Sequence, residues 1–149
     1  NALSDSNIAE IDCLARVIYA EDTVNVTGEY AVAKEIWNRK MSGNPKRFAR
    51  DKVNWTWKNI IFKSAEYNVA TGSEEHCKHA MKPTKNRYWD NCVARASELV
   101  AGAVPSSLLG GQKYHRASSS FSSAGITGID TYTIKAIGGN TFFDYLQGY

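Results

Sequence analysis

An apolar stripe at helical spacing runs through the first part of the chain and ends at a glutamate. Its members are Ile8, Ile11, Leu14, Ala15 and Ile18. Apolar residues three and four positions apart share one face of an α-helix. Asn7 followed by Glu10 resembles a capping box, so the pattern predicts a helix from residue 7 to residue 21.

Further helices are predicted up to about residue 105, where the composition changes. Thr27 is a candidate N-cap for a second helix, which the Ser42-Gly43-Asn44-Pro45 segment would end. The other expected elements of this part are a short helix within 55–62, a loop over 68–87 and a helix over 88–101.

The last third of the chain favours strands and turns instead of helices. Residues 132–137 alternate and are rich in β-branched side chains, Gly138-Gly139-Asn140 can turn the chain, and 141–143 read as a return strand. A length of 149 residues fits one domain. The sequence therefore predicts a single α+β domain, mainly helical, with a small C-terminal β-hairpin.

Charge and hydropathy narrow the classes of partner. The 18 basic and 15 acidic side chains give a net charge of +3, which is compatible with an anionic polymer. The densest basic stretch, residues 39–52, matches no nucleic-acid motif, so nucleic acid is not an expected partner. No apolar run approaches the roughly 20 residues that span a bilayer, so no membrane insertion is expected. A start at Asn1 suggests a processed protein or a domain excised from a longer one.

Three cysteines leave their pairing open. Cys77 and Cys92 bracket a short loop that one disulfide could close, whereas Cys13 lies within an apolar helical pattern and is expected to be a buried free thiol. A Cys77–Cys92 bridge would imply an oxidising destination, the periplasm or the cell exterior.

Glu21 is the first candidate catalytic residue. It follows Leu14 by seven positions and Val17 by four, so it shares their helix face. A carboxylate on an apolar stripe is costly to keep ionised, which suits a group that protonates a glycosidic oxygen. The alternative is a glutamate that is exposed at the helix end or paired with Lys or Arg.

A second carboxylate is less clearly indicated by the sequence. Asp22, Glu29 and Glu35 are the nearest candidates, and Glu29 could face Glu21 across the loop between the two helices. A second carboxylate would hold a water for inversion or act as nucleophile for retention. Alternatively, Glu29 is an acidic residue that suits a helix N-terminus.

Two other groups of polar residues are candidates for binding. Tyr114 and His115 lie in a Gly- and Ser-rich region and suit sugar stacking and hydrogen bonds to hydroxyls, although edge packing explains them equally. His76, Cys77 and His79, with His115 or Cys92, could ligate zinc. Their spacing does not match the usual zinc patterns, so no metal or other cofactor is expected.

The segment Leu14-Ala15-Arg16-Val17-Ile18-Tyr19-Ala20-Glu21 resembles the signature of the cell-wall hydrolases of the spore-cortex lytic enzyme family (SleB/CwlJ type). Gly28-Glu29, residues 31–33 and Asn38-Arg39 occupy the places of that family's turn, alanine-rich helix and Asn-Arg pair. Later blocks at 94–102, 110–115 and 134–143 resemble the family in the same order.

This resemblance implies a lysozyme-like fold and cleavage of the β-1,4 bond between N-acetylmuramic acid and N-acetylglucosamine, with Glu21 as general acid/base. It implies bacterial peptidoglycan as partner, and action in the periplasm or the extracellular cell wall. The chain reads Asp22-Thr23-Val24-Asn25 where the family has Ala-Arg-Gly-Glu, and Glu29 stands where Gln or Met is common. These departures leave open a lysozyme or a lytic transglycosylase product.

Divergence of this kind suits a toxin, phage lysin or secreted effector domain, and a toxin domain would have an immunity or delivery protein as a further partner.

Two other functions compete with glycan cleavage. One is a zinc-dependent peptidoglycan amidase or peptidase that uses His76, His79 and His115. The other is a wall-binding module without catalytic activity.

Overall fold

The computed structural model describes residues 4–63, 67 and 86–147. Across these residues the chain forms five α-helices and one antiparallel sheet, so the expected α+β, mainly helical fold is confirmed. The helices are α1 (Asp5–Glu21), α2 (Val26–Met41), α3 (Pro45–Phe48), α4 (Trp57–Ile61) and α5 (Arg87–Ala101). The strands are β1 (Tyr114–Ala117), β2 (Ile129–Ile137) and β3 (Asn140–Tyr145).

The first two helices begin earlier than their predicted starts. Ser4 caps α1, with its side chain accepting a hydrogen bond from the Asn7 amide at 3.1 Å. Asn25 caps α2 in the same way, accepting from the Gly28 amide at 2.8 Å. The expected caps at Asn7 and Thr27 were therefore wrong. In each helix an earlier side chain, Ser4 or Asn25, accepts a hydrogen bond from a free backbone amide of the first turn.

The hydrophobic core lies where α1, α2 and α5 pack together, with α4 against α1 and α2. Its fully buried members include Leu14, Val17, Ile18, Ala31, Val32, Ile36, Leu99 and Phe142. The apolar stripe of α1 is thus the core face of that helix from Ile11 onward. Ile8 is 53% exposed and does not belong to it.

The sheet has the strand order β1-β3-β2. The predicted hairpin is confirmed as β2 and β3, joined at Gly138-Gly139. A third strand, β1, was not predicted, and it pairs with β3 so that Tyr114 lies opposite Phe143 and His115 opposite Phe142. The sequence does not indicate this strand, because the surrounding residues are rich in Gly and Ser and a four-residue strand carries little periodicity of its own.

The hairpin turn packs directly against the loop that follows Glu21. A Cβ atom at Gly138 would lie 2.2 Å from Asp22 Oδ2 and 3.0 Å from the Gly28 Cα atom. The Asn140 side chain also donates a hydrogen bond to the Glu21 carbonyl oxygen at 3.0 Å. These contacts fix the end of α1 against the sheet.

The cysteine predictions were wrong. Cys13 is disulfide-bonded, and Cys92 is a free thiol, so a Cys77–Cys92 bridge does not form. Cys92 is fully buried in α5 beside the Glu29 side chain of α2, where packing between helices encloses it. Cys77 itself lies outside the described residues, as do the His76–His79 segment and residues 68–85 of the loop predicted over 68–87. At the end of that loop the prediction was wrong, because Asn86 caps α5 and Arg87 is its first residue. Among the described helices, none has the length and apolar character needed to cross a membrane.

Candidate active site

A histidine on the sheet joins glutamates from the two long helices. Glu21 is the last residue of α1, Glu35 lies within α2, and His115 is in β1. His115 Nε2 lies 3.0 Å from Glu21 Oε2. On the other side of the ring, His115 Nδ1 lies 2.9 Å and 2.8 Å from the two carboxylate oxygens of Glu35. Residues 94 and 80 positions apart in the chain therefore form one hydrogen-bonded cluster.

The cluster runs from the interior to the surface. The side chain of Glu35 is 0% exposed, that of His115 is 8% exposed and that of Glu21 is 17% exposed. Solvent therefore reaches Glu21 most directly, while Glu35 lies behind the imidazole and holds it in place.

Glu35 is stabilised by a second donor. The Tyr67 hydroxyl donates a hydrogen bond to Glu35 Oε1 at 2.7 Å. Burial, together with the neighbouring Glu35 carboxylate, raises the pKa of Tyr67 well above its usual value, so the phenol keeps its proton and remains a donor. Buried carboxylates are stable only with such partners, and here a phenol and an imidazole supply them.

His115 is protonated at neutral pH. Burial alone would lower the pKa of His115, but the carboxylates of Glu35 and Glu21 outweigh it and raise the pKa to about 10. The imidazolium can then donate one N–H group to each glutamate. The ring also packs against Phe142, with centroids 5.4 Å apart, which restricts its orientation.

This arrangement can supply and recover a proton at Glu21. If the Nε2 proton moves across the 3.0 Å contact, Glu21 becomes a carboxylic acid and His115 becomes a neutral ring that still donates through Nδ1 to Glu35. The reverse transfer restores the carboxylate. The pair therefore contains one proton that either group can carry, and the raised pKa of His115 places it on the imidazole before any transfer.

The structure does not bring Glu29 into this cluster. The Glu29 side chain is fully buried, accepts a hydrogen bond from Asn91 Nδ2 at 3.0 Å and lies beside the Cys92 thiol. Its Oε2 atom has no hydrogen-bond partner within the described part of the chain, and burial raises its pKa to about 7. No hydrogen bond or ion pair between described atoms joins Glu29 to Glu21.

Glu35 is the functional candidate that sequence reasoning passed over in favour of Glu29. Glu35 follows Val32 by three positions and Ala31 by four, and all three are buried. The rule that singled out Glu21, a carboxylate on an apolar helix face, therefore also identifies Glu35.

The two candidate binding residues of β1 have different surroundings. His115 belongs to the hydrogen-bonded cluster. Tyr114 is only 4% exposed and its ring contacts Phe48, Phe143 and Tyr145, with a centroid distance of 4.7 Å to Tyr145. Its ring is largely covered by these aromatic neighbours, which leaves little of its face for a sugar to stack on.

No group of three or more His, Cys, Asp or Glu side chains in residues 4–63, 67 and 86–147 is arranged to hold a metal ion. Both ring nitrogens of His115 are engaged by carboxylates, which leaves neither directed at an open coordination position. His76 and His79 lie outside the described residues.

Comparison with known proteins finds no match to this chain among protein-family models, curated sequences or solved structures. The chemistry open to this chain is therefore inferred from the site and from the residues around Glu21.

Proposed function

We propose that this protein cleaves the glycan strands of bacterial peptidoglycan at the β-1,4 bond between N-acetylmuramic acid and N-acetylglucosamine. The observation that supports this best is the partly exposed Glu21 carboxylate, hydrogen-bonded to a protonated histidine that the buried Glu35 fixes from behind. The resemblance of residues 14–21 to a cell-wall hydrolase signature gives the substrate class. The site of action is the periplasm or the extracellular wall.

Glu21 serves as general acid and then as general base in this mechanism. It takes the Nε2 proton of His115 and donates it to the glycosidic oxygen as the bond to the muramic acid C1 breaks. The leaving N-acetylglucosamine carries that proton away as a hydroxyl group. The resulting Glu21 carboxylate can then remove a proton from the group that attacks C1.

Burial of the other carboxylates favours a lytic transglycosylase over a lysozyme. Glu29 and Glu35 are fully buried, and Asp22 is 8% exposed and accepts a hydrogen bond from the Gly139 amide at 3.4 Å. None of these three carboxylates is placed to hold a water or to attack a sugar carbon. With no second carboxylate offered by these three described residues, we take the 6-hydroxyl of the muramic acid as the nucleophile and a 1,6-anhydro sugar as the product.

Mass spectrometry of digested peptidoglycan tests the proposal. Purified sacculi are incubated with the wild-type protein, with Glu21→Gln, and with Glu10→Gln as a matched control on the same helix. We expect 1,6-anhydromuramic ends from the wild type and from the control. Loss of general acid/base catalysis should lower the rate for Glu21→Gln by about 10²–10⁴-fold.

Other results would contradict the proposal in distinct ways. Release of stem peptides that a metal chelator abolishes would indicate a zinc-dependent amidase or peptidase. Sedimentation with sacculi without released fragments would indicate a wall-binding module. Full activity of a folded Glu21→Gln variant would rule out Glu21 as the acid, and reducing muramic ends would indicate hydrolysis instead of the lytic reaction.

A further inference from the structure

A small cationic cavity adjoins the candidate active site. It has a volume of about 220 Å³ and is lined by Arg39, Arg47, Tyr114, His115, Arg116, Phe143 and Tyr145. His115 belongs both to this lining and to the cluster with Glu21. The His115 side chain lies on the opposite face of β1 from Tyr114, so a ligand group in the cavity would be separated from Glu21 by this one residue.

The described side chains that line the cavity are mainly cationic and aromatic. Three of the seven described lining residues are arginines and none is acidic, while a fourth, His115, has both ring nitrogens engaged by Glu21 and Glu35. The remaining three are aromatic. The positive charge of the described lining therefore comes from the arginines. The arginines of such a set attract an anion.

The two deeper arginines are held by the surrounding structure. Arg39 is 2% exposed, and its Nε donates a hydrogen bond to the Lys113 carbonyl oxygen at 2.7 Å. Its guanidinium carbon lies 5.3 Å from the centroid of the Tyr114 ring, and that of Arg47 lies 5.0 Å from the same ring. Guanidinium groups stacked on an aromatic ring lose little further freedom on binding a ligand.

We propose that this cavity binds a carboxylate of the peptidoglycan stem peptide, so that the protein acts on peptide-bearing glycan strands. The inference rests on the proposed function, because it is the muramic acid at the cleaved bond that carries the stem peptide. The arginine fork matches a carboxylate in geometry as well as in charge.

The size of the cavity agrees with a fragment of substrate. Whole small-molecule ligands occupy pockets of roughly 300–1,000 Å³. A cavity of about 220 Å³ holds one amino-acid-sized group. The glycan would lie outside it, at Glu21, while a stem-peptide residue enters the cavity and sets which muramic acid lies at the reacting position.

Binding of a small muropeptide tests the site without any need for cleavage. N-acetylmuramyl-L-alanyl-D-glutamate carries free carboxylates and has no glycosidic bond to N-acetylglucosamine, so calorimetry with the wild-type protein measures affinity alone. We expect the diamide of this compound to bind at least about tenfold more weakly, because each charge-assisted pair lost weakens binding by roughly that factor.

Two arginine substitutions and one control locate the binding. Arg116→Gln and Arg47→Gln should each weaken the muropeptide about tenfold and abolish the preference over the diamide. Lys46→Gln is the matched control, since Lys46 precedes Arg47 in α3, is exposed and does not line the cavity. Lys46→Gln removes one positive charge, as the arginine substitutions do, and should bind the muropeptide as tightly as the wild type does.

The outcomes separate this inference from the proposed function. Equal affinity for the acid and the diamide, or undiminished binding by both arginine variants, would overturn the cavity proposal even if Glu21-dependent cleavage is found. Tighter binding of inorganic phosphate than of the muropeptide would also overturn it, pointing to a phosphate ligand. Carboxylate-selective binding without cleavage of sacculi would support the cavity and reject the catalytic proposal.

Discussion

His115 Nε2 lies 3.0 Å from Glu21 Oε2, and this contact joins the end of the first helix to the first strand of the sheet. The opposite nitrogen of the ring is held by Glu35, which is fully buried. The imidazolium therefore has a fixed orientation and charge. Of the two glutamates, only Glu21 has a side chain that is partly exposed to solvent. Catalytic groups are set up in this way when a buried partner controls the protonation of an accessible one.

The role of His115 as proton source for Glu21 can be tested by substitution. His115→Gln alone would leave the buried Glu35 without its cationic partner, so Glu35→Gln is introduced with it to restore a neutral pair. We expect the double variant to fold but to cleave sacculi on the order of 10²-fold more slowly. The wild-type rate should fall at alkaline pH as His115 loses its proton, and the pH–rate profile of the double variant should lack this fall. Wild-type rates and an unchanged profile in the double variant would show that His115 has no part in proton transfer.

The same imidazole should make stability depend on pH in the alkaline range. The pKa of His115 is raised from a usual value of 6.5 to about 10, so the stabilising contribution of the imidazolium is complete below pH 6.5 and is lost as the pH rises through about 10. Urea unfolding at several pH values should show a free energy of unfolding that falls by several kcal/mol across this window. The His115→Gln/Glu35→Gln variant should show a smaller fall, and an equal fall in both proteins would contradict the assignment.

Glu29 should give a second pH dependence at lower pH. Burial raises its pKa from 4.5 to about 7, so the folded state favours the neutral acid. The stability that this group contributes is complete below pH 4.5 and is lost as the pH rises through about 7, a loss of up to about 3 kcal/mol.

Glu29→Gln isolates this effect. A neutral carboxamide can still accept the Asn91 hydrogen bond, so the variant should be more stable than the wild type at pH 8 and differ little from it at pH 4. Asp90→Asn, which removes an acidic charge at an exposed position of the same helix α5, is the control and should show no such divergence. A variant that is less stable than the wild type at pH 8 would mean that the ionised carboxylate is tolerated at this position.

The sequence predicts the helices and the hairpin of this fold well, because each depends on periodicity within a short segment. The helix ending at Glu21 follows from its apolar stripe, and the β2–β3 hairpin follows from alternation around Gly138-Gly139. The site was only partly predictable. Glu21 lies on a recognisable stripe, but its contact with His115 spans 94 positions, and no local pattern carries information on such a pairing.

The predicted disulfide was wrong, and Glu29 lies outside the Glu21 cluster, for a related reason. Both were argued from closeness in sequence, across the Cys77–Cys92 loop and across the turn between α1 and α2. Instead, the side chains of Cys92 and Glu29 meet each other inside the helical core. Helix packing decides which faces meet, and it depends on the whole fold rather than on either segment.

Gly138 should be required for the contact that anchors the loop after Glu21. It has a φ of +61°, and a Cβ atom there would lie 3.0 Å from the Gly28 Cα atom as well as against the Asp22 carboxylate. We expect Gly138→Ala to cost roughly 1–2 kcal/mol for the left-handed backbone and a further 1–3 kcal/mol for the steric conflict. Activity should also fall, because Asp22 directly follows Glu21.

Two other glycines separate these contributions. Gly43 has a φ of +63° with no atom within 4 Å of the added carbon, so Gly43→Ala reports the backbone cost alone. Gly139 also has open space at that position and has no positive φ. Urea denaturation should rank the losses as Gly138→Ala, then Gly43→Ala, then Gly139→Ala. Equal losses at Gly138 and Gly43 would show that the packing against Asp22 and Gly28 is not tight.

Cys92 and Cys13 should be distinguishable by alkylation. Burial, with the adjacent Glu29 carboxylate, raises the pKa of the Cys92 thiol, and a protonated, enclosed thiol reacts slowly. We expect iodoacetamide to leave Cys92 unmodified in the native protein and to modify it once the protein is unfolded without reductant. Cys13 should react only after unfolding and reduction, because it is disulfide-bonded. Peptide mass spectrometry after each treatment measures both sites, and labelling of Cys13 without reductant, or rapid labelling of native Cys92, would contradict this assignment.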